Sequence, residues 1–143
     1  MKKIIVLIAL FISMFAIAQR KDKLILVDKD DPVMELAFAE AKQTLDEFIS
    51  RAVEKRSENE TYGAYIKVVE GEAVEYLWVS NFQKYDDTYF MGVLITKPAL
   101  ISQFEEGATV GILKEDIYDW QIYNKETKTT EGAFTFKVLK KNK

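Results

Sequence analysis

Pro32-Val33-Met34-Glu35-Leu36-Ala37-Phe38-Ala39-Glu40-Ala41-Lys42-Gln43-Thr44-Leu45-Asp46-Glu47-Phe48-Ile49-Ser50-Arg51-Ala52-Val53 is the stretch on which the fold turns. Met34, Phe38, Ala41, Leu45, Phe48 and Ala52 follow one another at spacings of four and three, and Ala37, Ile49 and Val53 widen the stripe. That is the apolar face of an amphipathic α-helix. No glycine or proline occurs between Pro32 and Gly63, so the pattern predicts one long helix of about six or seven turns. Asp30 or Asp31 is placed to cap its first free N–H groups, and Pro32 suits the first helical position. Arg51, Lys55 and Arg56 gather where the helix dipole is negative, and Ser57-Glu58-Asn59-Glu60 ends the element.

Downstream of Thr61 the patterning becomes that of strands. Tyr62 to Val69 is rich in aromatic and β-branched residues, and Glu70-Gly71-Glu72 is a turn. Ala73 to Ser80 alternates, with Val74, Tyr76 and Trp78 on one side, so these two runs read as a hairpin. Further strands are expected at Thr88–Ile95, Thr109–Leu113, Ile117–Tyr123 and Gly132–Leu139, with a short helical turn over Ala99–Phe104. Consecutive strands without long intervening helices imply an antiparallel sheet. The expectation is an α+β domain: one long N-terminal helix packed on an antiparallel sheet of about five to six strands. The free sheet face would be either solvated or curled into a partial barrel.

Upstream, Met1-Lys2-Lys3 is followed by an apolar run from Ile4 to Ala18, broken only by Ser13 and closed by Ala16-Ile17-Ala18 before Gln19. This is the layout of a cleaved secretory signal peptide over residues 1–18. The run is short for a bilayer span. The expected product is periplasmic or extracellular, without stable membrane insertion once the signal is removed. Residues 19–29 read as a mobile start carrying a short strand, Leu24-Ile25-Leu26-Val27, and residues 30–143 as a single domain. With no cysteine, the chain has neither a lipidation site nor disulfides for an oxidising compartment.

The composition removes whole classes of chemistry. The chain has no histidine and no cysteine. It therefore lacks the commonest general base, the thiol nucleophile, the Ser-His-Asp triad and the usual ligands of zinc, haem and iron–sulfur clusters. No cofactor, metal site or catalytic residue is expected from these patterns. Asp28, Asp30 and Asp31 lack the glycine and distal glutamate of a calcium loop and are better read as helix-capping residues. The formal net charge of −3, two units more negative once Lys2 and Lys3 are removed, argues against nucleic acid as a partner. Lys137, Lys140, Lys141 and Lys143 read as a solvated tail.

Aromatic residues make up 13% of the chain, which is high enough to ask what they are for. Tyr118, Asp119, Trp120 and Tyr123, together with Trp78, form the candidate binding set. Large rings beside a carboxylate suit a sugar ring or a protein partner. On a regular strand, Tyr118 and Trp120 would share one face and Asp119 the other. The competing reading makes Trp120 and Trp78 core anchors and Asp119 a backbone cap. The functional expectation is a non-catalytic secreted binding or interaction domain facing an envelope protein or glycan. Its rival is a small enzyme using two carboxylates, such as Asp119 with Glu75, on cell-wall sugar or peptide.

Several fragments, taken in order, resemble the YegJ-like family, a bacterial domain of unknown function. They are Asp30-Asp31-Pro32 with Met34, Thr44-Leu45 with Phe48, Trp78-Val79-Ser80, Gly107 before a Val-containing strand, Ile117 with Asp119-Trp120, and Gly132 with Leu139. The resemblance spans nearly all of Asp30 to Leu139. It departs at Gly92-Val93-Leu94-Ile95-Thr96-Lys97-Pro98, where the family tends to lead into Asn-x-Pro. It implies a compact α+β domain and a secreted or envelope member, and brings no catalytic residues with it.

Overall fold

The computed structural model describes residues 31–141. The expected signal peptide over residues 1–18 and the segment 19–29 with its strand at Leu24–Val27 lie outside the described residues. The elements run α1 (Pro32–Gln43), α2 (Leu45–Val53), β1 (Glu60–Glu70), β2 (Ala73–Lys84), β3 (Tyr89–Leu94), β4 (Thr109–Leu113), a 3₁₀ turn (Lys114–Asp116), β5 (Ile117–Asn124), β6 (Thr129–Gly132) and α3 (Phe134–Lys141). The six strands form one antiparallel sheet in the order β4-β3-β2-β1-β5-β6. Among the described residues the sheet is not closed, and β4 and β6 are its margins.

The single long helix is not formed. The segment breaks at Thr44, where φ is −107° and ψ is 4°. The Thr44 hydroxyl donates to the Glu40 and Ala41 carbonyls, a back-bond that bends helices. It also accepts a hydrogen bond from the Trp120 indole N–H at 3.1 Å. One residue of break leaves the 3-4 spacing intact, so periodicity does not reveal it. The break matters because α1 and α2 serve opposite faces of the sheet. Phe38 of α1 packs on Tyr76 and Tyr118. Phe48 of α2 packs on Phe82 and Trp120. Both helices pack against β5, whose residues Gln121–Asn124 pair with β6. Asp31 caps α1 through its side chain on the Val33 N–H, and Pro32 opens the helix.

The turn at Gly71 (φ +60°) sets the β1–β2 register. Ala64, Ile66, Val68, Leu77 and Val79 then lie on the face that holds the core, completed by α2, Leu94, Val110, Ile112 and Ile101. Tyr65, Lys67, Tyr76 and Trp78 share the opposite face.

Two further expectations are corrected. Gly132–Leu139 is not a strand: β6 stops at Gly132, and Phe134–Lys141 is helical. Gly132 and Ala133 both adopt positive φ and reverse the chain. The Asp119 carboxylate then accepts the N–H groups of Phe134 and Thr135 at the start of α3. No helical turn forms over Ala99–Phe104. There the Glu75 carboxylate takes the N–H groups of Ala99, Leu100 and Ile101 and ties the irregular segment to β2.

Gly132 is the tightest point of this arrangement. A Cβ there would collide with the Trp120 carbonyl and ring, and its φ of +73° disfavours any side chain. At Gly71 only the backbone objects, since nothing lies within 4 Å. Gly132→Ala is expected to cost about 3 kcal/mol, from left-handed strain of about 1–2 plus overpacking. Gly71→Ala is expected to cost about 1 kcal/mol. Equal losses in urea unfolding would refute this assignment.

Candidate functional site

The hairpin register places rings in cross-strand pairs on the face away from the main core. Tyr65 lies opposite Trp78, and Lys67 opposite Tyr76. Tyr65 stacks on Trp78 at 5.0 Å between ring centroids and on Tyr76 at 5.7 Å. The series continues through Tyr76 to Tyr118 at 5.1 Å and to Phe38 at 5.6 Å, and Phe38 meets Tyr118 edge-on at 5.2 Å. All five rings are half-buried rather than sealed. Lys42 of α1 sets its ammonium 4.1 Å from the Tyr118 ring centre, with Lys67 at 6.0 Å. Cations over rings in this geometry are attracted by the ring quadrupole. Burial, then the neighbouring Tyr76, Asp119 and Glu75, push the Tyr65 hydroxyl up to about 12, so it remains a protonated donor at neutral pH.

A β-bulge puts Tyr118 in this series. Tyr65 pairs with Asp119 and Ile66 with Ile117, which leaves Tyr118 as the extra residue. Tyr118 therefore joins Phe38 and Tyr76, while Trp120 turns into the core against Phe48 and Phe134. The two rings do not share a face as a regular strand would require. Tyr123 is half-buried at the far end of β5, opposite Thr61 and Thr130, and is not one of the stacked rings. Trp78 is on the aromatic face and not in the core.

Asp119 is fully buried and engaged. It accepts from the Thr135 hydroxyl and N–H at 2.6 and 2.9 Å, from the Trp120 N–H at 2.8 Å and from the Phe134 N–H at 3.3 Å. Desolvation holds its carboxyl above the usual range against the opposing pull of those hydrogen bonds. Glu75 lies on the other face of the sheet, occupied by the three N–H groups of the 99–101 segment. The two carboxylates thus share no cavity, and the pairing expected for a carboxylate enzyme is not assembled. Asp46, Glu54, Asp86 and Asp87 do line a hollow of about 260 Å³. Each is partnered: Asp46 by Lys114, Glu54 by Ser50, Asp87 by Lys84 and Asp86 by the Thr88 and Tyr89 N–H groups. Among the described residues no group of three or more His, Cys, Asp or Glu is placed to hold a metal ion.

Of the expected site residues, Trp78 and Tyr118 lie in this ring series; Phe38, Tyr65, Tyr76, Lys42 and Lys67 join them without having been expected there. For Tyr65, Tyr76 and Lys67 the signal was present, since a two-residue turn at Gly71-Glu72 fixes which residues face each other across the hairpin; Phe38 and Lys42 are brought there by the packing of α1.

The family described as "Uncharacterized protein conserved in bacteria (DUF2314)" matches residues 31–142. The chain is 27% identical over 140 residues to the "Uncharacterized protein YegJ" of Escherichia coli (strain K12), covering 97% of this chain and 88% of that one. No solved structure matches.

Asp119→Asn is expected to destabilise by about 1–3 kcal/mol, because an amide nitrogen would face N–H donors left without an acceptor. The raised folded value means that the unfolded chain ionises first. The Asp119 contribution therefore declines as pH rises from about 4 through the folded value. The difference between wild type and Asp119→Asn, measured by urea unfolding from pH 3 to 7, should shrink across that window. A difference that grows with pH would contradict the direction.

Proposed function

We propose that this chain, which belongs to the DUF2314 family of uncharacterized bacterial proteins, is an exported, non-catalytic binding module whose ligand face is the ring series Phe38, Tyr76, Tyr65, Trp78 and Tyr118. The observation that carries the reading is that five large rings, Phe38 from α1 and four from the strands, lie half-buried in mutual contact over one sheet face, stacked except at Tyr118, which meets its neighbours edge-on, while a separate core stabilises the other face. Rings held in contact lose little further freedom on binding and offer flat apolar surface with hydroxyls at its edge. Lys42 and Lys67 add positive charge beside it, which suits an envelope protein or a glycan carrying acidic groups. Export rests on the lysine start, apolar run and Ala16-Ile17-Ala18 of the sequence. Among the described residues, no helix is long and apolar enough to cross a membrane.

N-terminal sequencing of protein recovered from the periplasm or medium should begin at Gln19. Recovery only from the cytoplasm with Met1 retained would remove the export half. For the binding half, tagged wild-type and Trp78→Ala proteins are passed over envelope extract, and retained proteins and glycans are identified by mass spectrometry. A stoichiometric species held by the wild type should fall at least tenfold with Trp78→Ala while the melting transition persists. A species retained equally by both, or none, would overturn the aromatic face as the site.

A further inference from the structure

We infer that the outer edge of β4 is a docking strand for an extended peptide whose apolar centre is flanked by basic residues. β4 is last in the strand order, so among the described residues its outer side has no strand partner. Sheet margins of this kind are normally guarded by a charge, a proline or a bulge. Thr109-Val110-Gly111-Ile112-Leu113 contains none of these within the strand. The opposite margin differs: Glu131 of β6 is ion-paired with Arg51, and the chain turns there into α3.

Beside this edge lies a hollow of about 210 Å³ lined by Tyr85, Tyr89, Phe90, Met91, Thr109 and Gly111 among others. Tyr85 and Tyr89 are 70% and 43% exposed and form its rim. The N–H groups of Tyr85 and Asp86 both donate to the Tyr89 carbonyl, which ties that rim together. Gly111 is the informative residue. Its φ is not positive, and an added Cβ would meet only Tyr89 Cδ1, at an ordinary 3.8 Å. Neither backbone nor packing therefore demands glycine there, and glycine weakens a strand. What its missing side chain does is leave the hollow open beside the hydrogen-bonding edge. An edge with a neighbouring side-chain hollow is the arrangement by which sheets recruit an added strand, with main-chain bonds giving affinity and the hollow giving selectivity.

The charge around the edge identifies the occupant. Glu105 and Glu106 are exposed just before β4, and Glu115 and Asp116 follow it closely. The one cation between them in sequence, Lys114, is engaged by Asp46; Lys97 shares a hollow with Glu105 and Glu106, and Lys67 shares one with Asp116, which leaves the acids in excess. The strand is thus bracketed by two acids at either end, which attracts basic flanks and repels acidic ones. This surface is independent of the aromatic face, because it uses neither Trp78 nor its neighbours.

The experiment titrates the purified full chain with a capped nonapeptide, Lys-Lys-Val-Thr-Val-Thr-Val-Lys-Lys, and with the same peptide carrying glutamates for lysines. The readouts are calorimetry and amide exchange. The lysine peptide should bind at least tenfold more tightly and slow exchange at Thr109–Leu113. Gly111→Val should weaken it at least tenfold, Gly111→Ala should weaken it less with an unchanged or raised melting temperature, and Trp78→Ala should leave it unaltered. Neutralising Glu105, Glu106, Glu115 and Asp116 to their amides should erase the preference between the peptides. Equal binding of both peptides by the unaltered protein, binding indifferent to Gly111→Ala and Gly111→Val, or no binding would overturn the proposal. Concentration-dependent dimers that bury β4 would also overturn it, assigning the edge to a second copy.

Discussion

The indole of Trp120 is the point on which the architecture depends. Its N–H satisfies the Thr44 hydroxyl at the break between α1 and α2. Its ring stacks at 5.2 Å on Phe48 of α2 and meets Phe134 of α3 edge-on. Its carbonyl accepts the Ala133 N–H at the turn into α3. One side chain and its own backbone thus fix where the first helical segment bends, how deeply α2 seats and where the final helix begins. Gly132 lies against the same ring with no room for a Cβ. Because the indole has a single donor and a large apolar surface, it joins a polar junction to the core without leaving a buried group unsatisfied.

Irregular segments are held mainly by carboxylates on backbone N–H groups. Asp119 starts α3, Glu75 pins 99–101, Glu70 holds Ser102 through both hydroxyl and N–H, and Asp86 closes the β2–β3 turn. The same chemistry has opposite electrostatic outcomes according to depth. Around Asp119 the cost of dehydrating a charge exceeds the gain from its donors, so its carboxyl is raised. At half-buried Glu70 and exposed Asp86 the hydrogen bonds dominate, and both are lowered. Their contributions to stability therefore run oppositely with pH: those of Glu70 and Asp86 are present above the ordinary carboxylate range and fade as pH falls through their folded values. A chain without disulfides has its loops tied down by such contacts instead.

Much of the sheet was legible because strand alternation and turn residues are local signals. β4 runs over Thr109–Leu113 as its sequence suggested, and β1 and β2 extend the expected hairpin at their outer ends. What failed was decided by partners distant in sequence. Thr44 breaks a helix whose spacing is unbroken because Trp120, far along the chain, supplies a donor. Phe134, Phe136 and Val138 alternate like a strand, yet Asp119 caps the segment into a helix that buries Thr135 and leaves Phe136 exposed. The bulge at Tyr118 likewise depends on β1, and a one-residue slip moves a side chain to the other face. The candidate site was half legible for the same reason. Its rings were visible one at a time, whereas the stack arises only when β2, β1, β5 and α1 are laid side by side.

The two faces of the sheet do different physical work. One closes over aliphatic and aromatic residues from α2, β1 to β5 and the 101 segment, and it contains most of the fully buried side chains. Because that face carries the stability, the other is free to keep large rings half-buried. There, ring–ring contacts add about 0.5–1.5 kcal/mol each beyond area burial, enough to hold the series in register without sealing it. Had stability been the only requirement, aliphatic pairs at Tyr65–Trp78 and Lys67–Tyr76 would close beneath Phe38 more completely. The chain instead places Lys42 and Lys67 against an aromatic surface, an arrangement in which the cations remain accessible and the rings remain fixed. That separation of a stabilising face from one that keeps its rings half-buried is the physical basis on which binding is proposed for this domain.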